Sequence, residues 1–116
     1  MTTLASSAED FLAMLRSRHA TMMGGRHDQR PGHVKDAANR AGESLFVLPD
    51  LVPGTLRAGW ARLDELDTAF ERAVFTMFLV AEVHPFRDGN GRVARVMTNA
   101  ELVAAGQAHH GADGVL

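Results

Sequence analysis

The sequence predicts a compact, mainly α-helical domain, and three observations carry that prediction. Apolar residues recur at helical spacing in four segments of the chain. Serine or threonine precedes acidic residues where two of these segments begin, as in helix capping boxes. The 116 residues suffice for one small domain with a modest core. We therefore expect four helices packed around a single apolar centre.

Composition narrows the class of protein. Apolar residues make up 46% of the chain, charged residues 22%, and the net charge is -2, so no basic field favours nucleic acid or a membrane surface. The absence of cysteine excludes disulfides and thiolate metal sites. The N-terminus lacks a secretion signal, and the longest apolar-rich stretch, Ala69 to Val83, is too short to span a bilayer. We expect a cytoplasmic protein that binds neither nucleic acid nor membrane.

The first helix is expected within residues 1–24. Ser6 and Ser7 precede Glu9 and Asp10 in the pattern of a helix start. The residues that then recur at helical spacing are Phe11, Leu12, Leu15, His19 and Met22, before Gly24 and Gly25 end the pattern.

Residues 25–44 form a long polar loop in which neither a helical nor a strand period is sustained. Such loops are uncommon in compact domains unless they have a function. The segment SLFVLP, residues 44–49, is a strand candidate, and GHVK, residues 32–35, is a candidate hairpin partner for it. On composition alone, a surface loop without a function is the better interpretation.

Two further helices follow. Leu56, Trp60, Leu63 and Leu66 mark the first of them. Thr68 and Glu71 form a capping-box pattern before Ala69–Val83, which is apolar on nearly every side. A helix of that kind belongs in the middle of the core, and its Met and Phe residues are expected to serve packing.

The segment HPFRDGNGRVAR, residues 84–95, concentrates the chemistry of the chain. Gly89, Asn90 and Gly91 precede a helix expected over residues 92–106, so their backbone amides suit a bound phosphate. Arg92 and Arg95 are three residues apart and project from one face of that helix. These groups together predict a polyphosphate site.

Asp88 and His84 add a carboxylate and an imidazole to this site. A carboxylate beside phosphates calls for a cation, and Mg²⁺ is the natural choice. His84 is placed to accept a proton from an attacking hydroxyl. An i, i+4 metal pair of the two side chains would need a helix that Pro85 and Gly89 disfavour. A P-loop is excluded because no Lys-Ser/Thr follows the glycines.

The same stretch resembles the signature of the Fic (Fido) family, H-x-F-x-[D/E]-G-N-G-R-x-x-R. The matching positions are His84, Phe86, Asp88, Gly89, Asn90, Gly91, Arg92 and Arg95. The similarity extends more weakly over residues 30–107. It implies a Fic-type helical domain core over residues 25–106, with a β-hairpin flap at about 31–49 and a motif loop at 84–91.

Most Fic proteins transfer AMP from ATP to a protein hydroxyl, and the resemblance implies that activity here. His84 would be the general base, Asp88 would hold Mg²⁺, and the amides of Gly89, Asn90 and Gly91 would form the anion hole. Arg92 and Arg95 would bind phosphates. The partner would be a target protein with a Ser, Thr or Tyr side chain. Gly91 disagrees with the kinase-like branch of the family, which often has lysine at that position.

The resemblance also reverses the interpretation of the polar loop, which becomes a flap that docks the target protein. The residues expected to line this flap are Gly32, His33, Val34, Lys35, Leu45, Phe46 and Val47. Many family members carry an inhibitory helix with the pattern [S/T]-x-x-x-E-[G/N], which is absent from this sequence. We therefore expect one of three cases: inhibition by a separate antitoxin-like protein, an unregulated chain, or a fragment.

The chain departs from the resemblance at its C-terminal end, where family members continue with further helices. We expect residues 107–116 to form an irregular tail in which His109 and His110 are exposed. A one-base shift within the Ala108 codon lets the following codons spell a family-like continuation, so we expect a frameshifted, truncated member. The alternative function is then a catalytically impaired remnant that acts only as a nucleotide-binding or protein-interaction module.

Overall fold

A computed structural model describes residues 5–41 and 44–113 of the chain. This part of the chain contains four α-helices, a two-stranded hairpin and two short 3₁₀ turns. The helices are α1 (Ala8–Met22), α2 (Val52–Asp64), α3 (Ala69–Val83) and α4 (Asn90–Asp113), and the strands are β1 (Arg40–Ala41) and β2 (Ser44–Leu45). The prediction of a mainly helical domain is confirmed.

Two of the helices, α1 and α3, begin where a capping side chain accepts a hydrogen bond from an amide of the first turn. In α1 the Ser7 hydroxyl accepts a hydrogen bond from the Asp10 amide at 3.1 Å. In α3 the Thr68 hydroxyl accepts from the Glu71 amide, and the Glu71 carboxylate accepts from the Thr68 amide, each at 3.1 Å. The predicted bounds and capping box of α3 are therefore confirmed. None of the helices in the described ranges combines the length and apolarity that crossing a bilayer requires.

The core lies between α3 and α4, with α1 and α2 packed against them. Val80 and Val83 of α3 meet Val93 and Met97 of α4 in the same buried cluster. The expectation that α3 lies in the middle of the core holds for only one of its faces. An outer face of this helix is exposed, and its members are Phe70, Val74 and Phe78 at 70%, 53% and 56% exposure. The apolar residues of α3 exceed what its two neighbouring helices, α2 and α4, cover.

Helix α4 is longer than the sequence suggested. It continues to Asp113, past Gly106, where we expected it to end in an irregular tail. One glycine costs a helix only about 1 kcal/mol relative to alanine, and alanines at 104, 105 and 108 are the strongest helix formers. The side chains of His109 and His110, expected to be exposed, lie outside the part of the chain whose side chains are described, as do residues 114–116 altogether.

The hairpin pairs different residues from those predicted. Arg40 of β1 is opposite Leu45 of β2 in an antiparallel ladder. Val34, expected to pair with the strand at residues 44–49, instead forms an isolated antiparallel bridge with Phe86. The Lys35 amide donates to the Pro85 carbonyl at 2.8 Å beside that bridge. Residues 32–35 are thus fastened to the motif loop, and the hairpin is made farther along the chain, with residues 42 and 43 outside the described part.

Candidate functional site

A cleft of about 510 Å³ opens where α4 begins. All seven residues to which the sequence analysis assigned catalysis, metal binding or nucleotide binding line it: His84, Asp88, Gly89, Asn90, Gly91, Arg92 and Arg95. The cleft is also lined by Met23, Arg26, Asn39, Phe46 and Arg87. The structure therefore brings the predicted groups together on one concave surface, to which other parts of the chain contribute.

His84 ends α3 in a left-handed conformation, with φ 49° and ψ 63°. Such a conformation is uncommon for a residue with a side chain, costs about 1–3 kcal/mol, and clusters at functional sites. The ring Nδ1 lies 2.8 Å from the Ala81 carbonyl oxygen. Because a carbonyl only accepts, Nδ1 carries the proton, and in the neutral ring Nε2 then has a free lone pair. The fold thus fixes the imidazole in the tautomer that a general base acting through Nε2 requires.

Phe46 covers the imidazole of His84. The two rings stack face to face, with centroids 3.6 Å apart and planes 4° apart. The Phe46 amide donates to the Asn39 carbonyl at 3.2 Å, which joins the segment after β2 to the segment before β1. The predicted flap therefore contacts the candidate base through one aromatic side chain, while Leu45 beside it is 53% exposed.

The motif loop is closed by the side chain of Asn90. Its Oδ1 accepts from the Phe86 amide at 2.8 Å, and its Nδ2 donates to the Phe86 carbonyl at 2.9 Å. Asn39 donates to the same carbonyl at 3.2 Å. The Asn90 side chain is 5% exposed and occupied within the loop, so only its backbone amide is available to a ligand. Phe86 is completely buried, so its side chain anchors the loop in the core.

The first amides of α4 are the donors available to an anion. Val93 is the first residue of the helix whose amide donates to a backbone carbonyl, that of Gly89 at 3.0 Å. Among the described residues, the amides of Asn90, Gly91 and Arg92 have no backbone acceptor, which is the normal state of a helix start. Gly89 has φ +80°, a conformation suited to glycine, and a Cβ there would lie 2.8 Å from the Met23 sulfur.

The charged groups of the motif are not neutralised within the protein. In the described part of the chain, no hydrogen bond or ion pair engages the carboxylate of Asp88 or the guanidiniums of Arg92 and Arg95. All three residues are exposed. Other cleft arginines do have partners: Arg26 lies 3.6 Å from Asp28, and Arg87 lies 3.2 Å from Asp36. The unpaired charges are those that the motif supplies.

The predicted flap residues divide into two groups. Leu45, Phe46 and Val47 belong to the hairpin or follow it directly. Gly32, His33, Val34 and Lys35 lie instead along the motif loop and α1, and of these only His33 is exposed. The Lys35 side chain is 5% exposed, and its ammonium donates to Asn39 Oδ1 at 2.7 Å and to the Val83 carbonyl at 3.4 Å. Burial lowers the pKa of Lys35. This lysine is held inside the fold and does not offer its charge to a docked protein.

Sequence reasoning missed Arg26, Asn39 and Arg87 as lining residues. Arg26 comes from the turn after α1, and Asn39 from the segment before β1, so neither stands near the motif in the chain. Arg87 lies within the motif at a position that the signature leaves variable. The bridge from Val34 to Phe86 and the bond from Asn39 to the Phe86 carbonyl hold Asn39 at the cleft, and no local pattern in the sequence encodes those contacts.

Comparison with known proteins agrees with this geometry. Residues 10–102 match the model of the Fic/DOC family. The chain is similar to a probable protein adenylyltransferase of Aquifex aeolicus, with 37% identity over 60 residues, which is 50% of this chain and 19% of the relative. It is also similar to a protein adenylyltransferase of Caenorhabditis elegans, with 29% identity over 104 residues, which is 86% of this chain and 20% of the relative.

A Fido domain-containing protein of Dictyostelium discoideum is 28% identical over 71 residues, 57% of this chain and 50% of that protein. The chain thus spans about a fifth of the length of the adenylyltransferases and half that of the Dictyostelium protein. The family match covers most of the chain and includes the whole cleft motif. This protein belongs to the Fic/DOC family.

Proposed function

We propose that this protein is an adenylyltransferase that moves AMP from ATP to a Ser, Thr or Tyr hydroxyl of a target protein. One observation carries the proposal: an imidazole with a free Nε2, an unpaired carboxylate and two unpaired guanidiniums line the same cleft. The relatives named as protein adenylyltransferases support the same reaction class.

In the proposed reaction the target hydroxyl oxygen attacks the α-phosphorus of ATP. A bond forms between that oxygen and phosphorus, the bond to the α–β bridging oxygen breaks, and pyrophosphate leaves. The hydroxyl proton passes to Nε2 of His84, whose Nδ1 is held by Ala81. The unpaired amides at the start of α4 and the guanidiniums of Arg92 and Arg95 stabilise the phosphate charge. The protein's contribution is mainly positioning and electrostatic stabilisation.

The residues of the cleft fit a magnesium ion bound together with the nucleotide. The Asp88 carboxylate is exposed and has no partner among residues 5–41 and 44–113, as a ligand position for Mg²⁺ should be. In residues 5–41 and 44–113, no cluster of three or more His, Cys, Asp or Glu side chains could hold a metal alone. Phosphate oxygens and water would therefore complete the coordination, and the ion would neutralise charge on the phosphates.

The target protein would dock along the hairpin. Leu45 offers an exposed apolar side chain, and Phe46 lies against His84, so a segment paired with β2 would bring its side chains to the candidate base. Backbone pairing of this kind tolerates many sequences. An antitoxin-like inhibitor that engages Arg95 is a further predicted partner.

Radiolabelled ATP tests the reaction. The purified chain, Mg²⁺ and a lysate of the source cells are incubated with ATP labelled at the α- or the γ-phosphate. We expect a labelled protein band with α-label only, lost in His84→Ala and retained in the control His27→Ala, since His27 is exposed and not part of the cleft. Label from the γ-phosphate, or labelling that survives in His84→Ala, contradicts the proposal.

One observation favours the alternative, a module that binds nucleotide or protein without catalysis. The exposed apolar face of α3 is a surface that a partner protein would cover. This alternative predicts that a folded sample binds Mg·ATP and transfers no AMP, and that wild type and His84→Ala behave alike.

A further inference from the structure

His19 of α1 is buried although it has no part in the reaction proposed above. Its exposed fraction is 0%, whereas histidines of soluble proteins are usually at least partly exposed. A buried imidazole needs partners for both ring nitrogens, because an unsatisfied polar group in the interior is costly. The two partners of His19 come from two loops that are far apart in the sequence.

Both hydrogen bonds of the ring can be assigned. The Gly32 amide donates to Nδ1 at 3.0 Å, so Nδ1 is an acceptor and carries no proton. Nε2 therefore carries the proton and donates it to the backbone carbonyl of Asp88 at 2.8 Å. Desolvation on burial lowers the pKa of His19, in agreement with a neutral ring. One imidazole thus joins the segment after α1 to the residue that we place beside the magnesium ion.

The flat face of the ring is fixed as well. It stacks on the ring of Phe86, with centroids 3.7 Å apart and planes 5° apart. Phe86 and Asp88 flank Arg87 in the motif loop, so the ring is held against the loop by a stack on one residue and a hydrogen bond to another.

Two glycines make this close approach possible. A Cβ at Gly32 would lie 2.9 Å from the Cβ of Ala20, and a Cβ at Gly89 would lie 2.8 Å from the Met23 sulfur and 3.4 Å from His19 Nε2. Both glycines also have positive φ, 78° and 80°. The end of α1 therefore packs closely against the motif loop, next to the residue where α4 begins.

We infer that His19 is a positioning residue for the cleft: its Nε2–H holds the Asp88 carbonyl, and this contact sets the Asp88 side chain and the Gly89–Gly91 amides in place for Mg·ATP. The inference rests on the proposed function. Removing a group that hydrogen-bonds to a metal-binding residue typically lowers metal affinity or activity about 10–100-fold, and misplacing a reacting group by about 1 Å can cost about 10²-fold in rate.

Three variants separate positioning from stability. His19→Phe keeps an aromatic ring for the stack on Phe86 and removes both hydrogen bonds. His19→Gln carries an amide nitrogen about where Nε2 lies, so it can donate to the Asp88 carbonyl again. His27→Phe is the matched control, since it makes the same replacement at an exposed position. Each protein is assayed far below its melting temperature, so that every sample is folded.

In His19→Phe we expect kcat/KM for AMP transfer to fall about 10–100-fold and the Mg²⁺ concentration for half-maximal rate to rise. His19→Gln should recover most of the loss, and His27→Phe should match wild type. A folded His19→Phe with wild-type kcat/KM and Mg²⁺ dependence would overturn the inference, because a merely structural histidine changes stability without changing the activity of folded molecules.

Nuclear magnetic resonance of the wild-type chain gives an answer that needs no variant to fold. Long-range proton–nitrogen correlations should show His19 protonated at Nε2 and unprotonated at Nδ1, whereas the opposite tautomer would overturn the inference.

If the wild-type chain transfers no AMP, the proposed function fails by itself. The positions of the Gly89 and Gly91 amide signals in His19→Phe then decide the positioning role: displaced signals support it and unchanged signals contradict it.

Discussion

Replacing Asn90 by alanine should destabilise the protein through the motif loop. The substitution removes an acceptor from the Phe86 amide and a donor from the Phe86 carbonyl, which are 2.8 and 2.9 Å away. The amide is left without a partner at a completely buried residue, which costs about 1–3 kcal/mol. The carbonyl keeps its bond from Asn39, so its loss is only about 0.5–1.5 kcal/mol. The two terms add to about 1.5–4.5 kcal/mol, and the middle of that range predicts a loss of about 2–4 kcal/mol.

Urea unfolding followed by circular dichroism measures this loss, and a thermal scan should show Tm lower by roughly 8–16 °C, at about 4 °C per kcal/mol. Asn99→Ala is the matched control, because Asn99 lies on the same helix, is exposed, and makes no side-chain bond within the described residues. Asn90→Asp should fall between the two, since a carboxylate still accepts from the Phe86 amide but repels the Phe86 carbonyl. Equal stability of Asn90→Ala and Asn99→Ala would refute the reasoning that this carboxamide closes the loop.

Three further predictions concern charge and burial. The hydrogen bond from Arg87 lowers the pKa of Asp36, so the stability that this bond contributes is present above the unfolded pKa of about 3.8 and is lost as the pH falls below that value. Thermal scans at low salt should show Asp36→Asn less stable than wild type at pH 6 and equal to it in acid. A difference in stability between the two proteins that persists in acid contradicts this prediction. The side chains of Arg72 and Glu101 form an ion pair at 3.4 Å and are only 4% and 8% exposed. Glu101→Ala leaves a buried charge without its partner and should lower the free energy of unfolding by about 3–5 kcal/mol, whereas the apolar double replacement Arg72→Met with Glu101→Leu should lower it by less. Urea unfolding measures both, and a double variant as unstable as the single one contradicts the prediction. The Thr76 hydroxyl is buried and has no hydrogen-bond partner within the described ranges of the chain. Thr76→Val should therefore raise the free energy of unfolding by up to about 1 kcal/mol, and a clear loss of stability would show that the hydroxyl has a partner in solution.

The sequence predicted those parts of the fold that depend on residues close together in the chain. The capping box of Thr68 and Glu71 located the start of α3, and the glycines of the motif located the start of α4. Periodicity failed where neighbours in space decide the result. Phe70 and its exposed companions on α3 have the same apolar character as the buried residues of that helix, so the pattern could not tell the covered face from the uncovered one.

The candidate site was predictable as a set of groups and not as an arrangement. The motif named His84 and the two arginines, but the left-handed backbone of His84 and its bond to Ala81 depend on how α3 ends. The stack of His84 with Phe46 joins residues 38 positions apart, and the two bonds of His19 join residues 13 and 69 positions apart. No short pattern encodes these contacts. Non-local contacts therefore supply the tautomer and the loop geometry, which are the features that make the groups useful for chemistry.

Binding of a non-hydrolysable ATP analogue with Mg²⁺, followed by nuclear magnetic resonance, tests most directly the claim that these groups form one nucleotide site. The account predicts that the large shifts fall on the amides of Gly89, Asn90 and Gly91 and on the side chains of Arg92 and Arg95. Arg95→Ala should weaken binding, whereas Arg62→Ala, the same change at an exposed position on α2, should not. Shifts centred elsewhere on the protein, or equal binding by the two variants, would contradict the account.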